Sequence, residues 1–214
     1  MSNKIVVAGI GPGSVDYISP LALKKIKSAK ILVGGGRALS DFAEKNQTTF
    51  QITSDLDAVI NFVREKILFD EVVVMASGDP GYFSILDLLK KNFSSSQIEV
   101  IPSISSMQLA FAKLSLSWHS ATLASFHGRQ PADEEINFCE GKILGLLTDS
   151  KFNSATISKI LIEHGWDKNS DLVILTKLSY PDEKIIFTDL GDAINSEPIK
   201  HGILIAGENI KEVN

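Results

Sequence analysis

At 214 residues the chain is long for one small core and suits two α/β lobes of roughly 100 residues each. Hydrophobic residues at 44% and charged residues at 22%, with 15 Gly and 7 Pro scattered along the chain, exclude a disordered, collagen-like or low-complexity protein. The 21 basic and 26 acidic residues leave a net charge of −5 with no basic block interleaved with aromatics, which disfavours nucleic acid and anionic membranes as partners.

Ile5-Val6-Val7-Ala8 is a continuous apolar run ending in glycine, the mark of a strand buried on both faces. Ser19 before Pro20 predicts an N-cap and a first helical residue, with helix to about Ala29. Next come a strand at Ile31-Leu32-Val33, a glycine turn, a helix from about Arg37 to Lys45 and a short strand near Phe50 to Ile52. Ser54 is the expected cap of a helix in which Leu56, Val59, Ile60, Val63 and Ile67 share one face. Val72 to Ala76 is the clearest buried strand, followed by a helix from Tyr82 to Phe93, a strand from Ile98 to Ile101 and a helix from Ser105 to about Leu114.

Strands and helices alternate so strictly up to this point that a parallel sheet covered on both faces is expected, because parallel strands need crossovers. The pattern changes from Ala121. A strand to Phe126, a helix near Asp133 to Cys139, a strand from Lys142 to Thr148 and a helix ending at Gly165 come first. Leu172 to Lys177 and Lys184 to Thr188, separated only by a turn-forming stretch, then read as an antiparallel hairpin, and Gly202 to Ala206 as a last strand. The expected architecture is α/β, with an N-terminal parallel sheet in residues 1–110 and a C-terminal mixed sheet in residues 111–214.

A lone cysteine, Cys139, cannot form an internal disulfide and fits a reducing compartment, and no apolar run approaches the ~18 residues of a membrane span. A cytoplasmic protein without a membrane partner is expected. His119, His164 and His201 have no metal-ligand spacing with one another or with Cys139, so no metal site is expected.

Ligands of a parallel sheet gather at the carboxyl ends of its strands, and four loops there are unusual. Gly9-Ile10-Gly11-Pro12-Gly13 departs from the dinucleotide fingerprint: proline interrupts it, and the helix starts only near Pro20. Ser77-Gly78-Asp79-Pro80-Gly81 offers two glycines for close backbone approach and a carboxylate, or else a plain aspartate turn. Pro102-Ser103-Ile104-Ser105-Ser106 offers hydroxyls that also suit helix capping. The fourth is His127-Gly128-Arg129, with Gly34-Gly35-Gly36-Arg37 as a counterpart. Arg37 and Arg129 are two of three arginines in the chain, both follow glycine after a strand, and an arginine fork holds a carboxylate bidentately.

Together, in their order and spacing, these loops resemble the tetrapyrrole methylase family, which transfers methyl groups from S-adenosylmethionine. Within it, Trp118, Ser125-Phe126-His127-Gly128-Arg129 and Leu178-Ser179-Tyr180-Pro181-Asp182-Glu183 look like the precorrin C5-methyltransferases of cobalamin biosynthesis. The resemblance implies two α/β domains with an active-site cleft between them and a homodimer. It implies S-adenosylmethionine contacts at Gly11, Pro12, Ser77, Gly78, Asp79, Tyr82, Ser105, Ser106, Leu147 and Thr148. It further implies a tetrapyrrole substrate whose carboxylates meet Arg37 and Arg129, with His127 as the candidate proton-transfer group. A separate polypeptide for C15 methylation and decarboxylation is expected, since the chain ends at Asn214 with no room for that domain. The competing readings are a methylase of the same fold acting at another ring carbon or on a macromolecule, and a nucleotide-binding subunit without catalysis.

Overall fold

The computed structural model describes residues 3–208 and 210, and the chain divides into two compact units, Met1–Ser105 and Ser106–Asn214. The first contains β1 (Ile5–Gly9), α1 (Pro20–Ser28), β2 (Ile31–Gly34), α2 (Gly36–Phe42), β3 (Thr48–Gln51), α3 (Leu56–Lys66), β4 (Val72–Ala76), α4 (Leu86–Asn92) and β5 (Ile98–Ile101). The strands form a fully parallel sheet in the order β3-β2-β4-β1-β5. Its central strands are apolar throughout because both faces are covered. Ile5, Val7, Val72 and Val74 pack against Val59, Ile60 and Val63 of α3, whereas Val6, Ala8, Val73 and Met75 pack against Ala22 and Ile26 of α1.

Ser19 caps α1 as its sequence predicts, accepting the Ala22 N–H at 3.1 Å, with Pro20 at the first helical position. Helix α2 ends at Phe42 rather than Lys45 and β3 runs Thr48–Gln51 rather than Phe50 to Ile52, and two further boundaries differ from expectation for reasons visible in the bonding. The cap of α3 is Asp55, whose Oδ1 accepts the Ala58 N–H at 3.0 Å, not Ser54, and Leu56 at the helix start stays 44% exposed. Helix α4 begins at Leu86 rather than Tyr82, because the N–H groups of Gly81 and Tyr82 are already held by Asp79 and Phe83 turns into the left-handed region at φ 46°.

The second unit contains α5 (Ser106–Lys113), β6 (Thr122–Ser125), α6 (Asp133–Ile136), β7 (Leu144–Leu147), α7 (Ser154–Glu163), β8 (Asp171–Thr176), β9 (Lys184–Asp189), α8 (Leu190–Asn195) and β10 (Gly202–Gly207). Helix α6 is one turn, shorter than the Asp133 to Cys139 span expected, and α8 was not expected at all. The sheet order is β6-β7-β10-β8-β9, with β6 and β7 parallel and every other pair antiparallel. The predicted hairpin is β8 and β9, in register from Leu172↔Thr188 to Thr176↔Lys184.

Because the last strand inserts between β7 and β8 and opposes both, β6, β7 and β8 run the same way, so their carboxyl ends share one edge with the starts of β9 and β10. The core of this unit lies on the face where Leu146, Ile174 and Leu204 meet Ile157 and Leu161 of α7 and Leu190 of α8. On the other face Met107 and Phe111 of α5 press on Gly145, where a Cβ would stand 2.6 Å from Met107 Sδ. Helix α7 stops where Gly165 takes φ 90°, as expected of a glycine after a helix. Among the described residues no helix is long and apolar enough to cross a membrane.

Candidate functional site

In the first unit the parallel order of β4, β1 and β5 brings the three loops that follow them to one edge. Gly11 and Gly78 form a backbone bridge there: Gly78 N–H donates to Gly11 O at 2.8 Å and Gly11 N–H to Gly78 O at 3.3 Å. Both residues are left-handed, at φ 73° and 69°, a conformation glycine adopts without steric cost. The loops approach so closely that a Cβ on Gly9 would lie 2.6 Å from Ser103 Cβ and 2.8 Å from Pro80 Cδ.

Asp79 ties this arrangement together. Its Oδ1 accepts the Gly81 N–H at 2.8 Å and its Oδ2 the Ser103 N–H at 2.9 Å, while the Ser103 hydroxyl donates to Tyr17 O at 3.2 Å. Ser103, quoted in the sequence motif without a role, is therefore a structural partner of the aspartate. Pro12 is half-buried, Ser77 exposed and Ser105 buried, and Ser106 opens α5. The Tyr82 phenolic oxygen is buried without a hydrogen-bond partner, and burial pushes its pKa well above the ordinary tyrosine range. An open cavity of about 420 Å³, lined by Tyr17, Ser19, Pro102, Ser103 and Ile104 among others, lies beside these loops. Arg37 stands exposed in the first turn of α2, directly after β2, and so at the same edge of the sheet.

A glycine-lined cradle of main chain and an orphaned phenol suit a ligand with polar groups that can meet backbone closely. Of the expected site residues, this unit therefore brings Gly11, Ser77, Gly78 and Asp79 together, with Arg37 on the same edge.

In the second unit the loop after β6 carries His127, Gly128 and Arg129, all three exposed. His127 N–H donates to Ser125 Oγ at 3.2 Å and Gly128 N–H to Asp149 Oδ2 at 2.8 Å. Asp149 also accepts the N–H groups of Lys151 and Phe152 on Oδ1, at 2.8 and 2.6 Å. These bonds, led by Gly128 and Phe152 and aided by the neighbouring His127, hold its carboxyl below the usual carboxylate range. Asp149 was missed in the sequence, although an aspartate just after a strand and before Ser150 and Lys151 is an ordinary turn signal.

Leu147 ends β7 half-buried. The Thr148 hydroxyl is committed inside the unit, accepting Gly202 N–H at 2.7 Å and donating to Gly202 O at 3.1 Å. The loop between β8 and β9 is braced by Glu183, whose part shows only in the fold: its Oε2 accepts the Ser179 N–H at 2.7 Å and its Oε1 pairs with Lys113 Nζ at 2.7 Å. Burial pushes the Glu183 pKa upward, but these partners outweigh it and leave the carboxyl below its ordinary value. Among the described residues no three His, Cys, Asp or Glu side chains gather as a metal site requires.

A family model described as tetrapyrrole (corrin/porphyrin) methylases matches residues 4–194. A protein of Methanocaldococcus jannaschii named as a probable cobalt-precorrin-7 C(5)-methyltransferase is 29% identical over 90% of this chain and 92% of its own. The cobalt-precorrin-7 C(5)-methyltransferase of Salmonella typhimurium is 27% identical over 95% of this chain and 99% of its own. Among solved structures, the uroporphyrin-III C-methyl transferase of Thermus thermophilus, in complex with S-adenosylhomocysteine, superposes with a TM-score of 0.76 at 19% identity, covering 99% of this chain and 94% of that one.

Proposed function

Because this chain belongs to the tetrapyrrole (corrin/porphyrin) methylase family, we propose that it is an S-adenosylmethionine-dependent methyltransferase of cobalamin biosynthesis that methylates carbon 5 of a cobalt-containing or metal-free precorrin. The observation that carries the choice of carbon is that both relatives described above are named for it and match nearly end to end.

The residues of the first unit suit the methyl donor. Gly11, Pro12, Ser77, Gly78 and Ser105 would hold it against main chain, and the Tyr82 phenol offers a buried donor with no internal acceptor. When bound, S-adenosylmethionine supplies a methyl group already activated by its sulfonium. The work left to the protein is to hold the reacting groups in line and exclude water, an effect that contributes several kcal/mol. Asp79 serves this by locking two of the loops to each other, so that the cradle is formed in advance. Arg129 and Arg37 bind carboxylates of the precorrin, since each presents a guanidinium fork at the carboxyl edge of its own sheet. His127 takes or returns a proton at an imidazole nitrogen, histidine being the side chain whose charge changes in the neutral range.

The same proposal places the enzyme in the cytoplasm, where the exposed thiol of Cys139 stays reduced. By family resemblance it acts as a homodimer.

Calorimetric titration with S-adenosylhomocysteine, with NADH as control, followed by an anaerobic assay of C5 methylation, tests the reading. Saturable binding of S-adenosylhomocysteine alone and methyl transfer to carbon 5 are expected. Binding of NADH instead, or methylation at another carbon, overturns it.

A further inference from the structure

Five non-glycine residues among those described are left-handed, and three of them, Lys177 (φ 50°), Ser179 (φ 72°) and His201 (φ 54°), sit at one edge of the second unit's sheet. The register places them together: Thr176 at the end of β8 pairs with Lys184 on one side and with Gly202 on the other. Side chains rarely adopt this conformation, and it persists only where the surroundings impose it, most often at functional sites.

The edge is also where positive charge collects. It carries Arg129 after β6, Lys184 at the start of β9 and Lys200 before β10. Of the acids near it, Asp149 is engaged by three backbone N–H groups, Asp182 forms an ion pair with Lys177, and Glu197 lines a cavity with Thr176 and Lys184. In a chain of net charge −5 such an edge suits a ligand bearing several carboxylates.

Beside the Lys177–Asp182 pair, a second acid braces this left-handed loop. The Glu183 side chain, 18% exposed, bonds the Ser179 N–H and is anchored by Lys113, the last residue of α5. Two backbone bonds also run within the loop, Tyr180 N–H to Lys177 O and Glu183 N–H to Tyr180 O, both 3.0 Å.

We infer that Glu183 is a positioning residue for the methyl acceptor: by fixing the Ser179 N–H it presets the 177–183 loop at the cationic edge, where that loop helps to receive the carboxylate-bearing rim of the acceptor. The inference rests on the proposed C5-methyltransferase activity and deepens it, since it concerns recognition of the acceptor and not of the methyl donor.

The test is anaerobic steady-state kinetics of the wild type, E183A, E183Q and the double variant E183A/S179G, with S-adenosylhomocysteine affinity measured on each. E183A is expected to raise KM for the precorrin tenfold or more, with kcat and the S-adenosylhomocysteine Kd within threefold of wild type. E183Q, which keeps an oxygen for the Ser179 N–H, loses less. Adding S179G to E183A recovers part of the loss, because glycine takes the left-handed conformation freely. A precorrin KM within twofold in E183A, an equal loss of S-adenosylhomocysteine affinity, or no recovery with S179G overturns the inference. Should E183A fail to fold, E183Q and K113M decide: both raise the precorrin KM at least threefold, and an unchanged KM in both overturns it. A wild type that methylates no precorrin overturns the activity and this inference with it, whereas an active wild type with an indifferent E183A overturns the inference alone.

Discussion

Ser103 and Asp79, 24 residues apart in the chain, are joined by a hydrogen bond of 2.9 Å from the Ser103 N–H to Asp79 Oδ2. The other carboxylate oxygen takes the Gly81 N–H, so one side chain fixes the loop after β4 both to itself and to the loop after β5. Asp79→Ala leaves two N–H groups without their acceptor, a loss of about 1–3 kcal/mol. The expected outcome is a lower unfolding temperature and at least tenfold weaker S-adenosylhomocysteine binding by calorimetry, with Asp79→Asn intermediate. Unchanged affinity in Asp79→Ala would show that the cradle keeps its shape without the aspartate.

What could be read in advance divides along a physical line. Val72 to Ala76 and Ile5 to Gly9 are apolar throughout because both faces of the first sheet are covered, and that pattern is visible in one dimension. The short α8 is not, since it buries only Leu190 and Ala193 and starts directly from β9 with Asp189 as its cap, whereas α6 is legible at its start, Asp133, and not in its length of one turn. The glycine loops stand out because left-handed turns and close approach select glycine. Asp149 and Glu183 do not, because their roles exist only once the fold delivers the N–H groups of Gly128 and Ser179 to their carboxylates. The expected Ser54 cap lost to the adjacent Asp55, two residue types of nearly equal capping strength that sequence alone does not rank.

Gly9 reports on how tightly the three loops are packed. A methyl group there meets Ser103 Cβ at 2.6 Å, Pro80 Cδ at 2.8 Å and Gly78 O at 2.9 Å, two of them on rigid main chain or a proline ring. Gly9→Ala is therefore expected to cost about 1–3 kcal/mol, the usual range for overpacking. Thermal unfolding measures the loss, and S-adenosylhomocysteine binding should fall with it. A variant as stable as wild type means that the loops are looser than these distances imply.

His164 makes stability depend on pH. Its Nδ1 lies 2.7 Å from Ile160 O and its Nε2 3.2 Å from Asp133 Oδ1, and both partners accept, so the doubly protonated ring satisfies the site best. The Ile160 carbonyl first, then Asp133 against the opposing effect of burial, raises its pKa above the ordinary 6.5. A raised folded-state pKa gives stability that is complete below the unfolded value and is lost as pH rises through the folded one. With Asp133 largely exposed the contribution is about 1 kcal/mol or less. The unfolding temperature of His164→Gln should fall short of wild type most at pH 5.5 and least at pH 8.5. A gap that is flat or widens with pH contradicts the assignment.

Asp149 should act on the methyl acceptor through Arg129 without touching it. Its carboxylate fixes the Gly128 N–H at 2.8 Å, and Gly128, left-handed at φ 79°, sets the direction in which the next residue leaves the loop. Removing the carboxylate frees that turn, so the guanidinium loses its fixed origin while remaining chemically intact. Asp149→Ala is expected to raise the precorrin KM about as much as Arg129→Ala, roughly tenfold for one lost charge-assisted contact. The double variant should be little worse than either single one, because both remove the same contact. Losses that multiply in the double variant place the two residues in separate interactions and detach Asp149 from substrate binding.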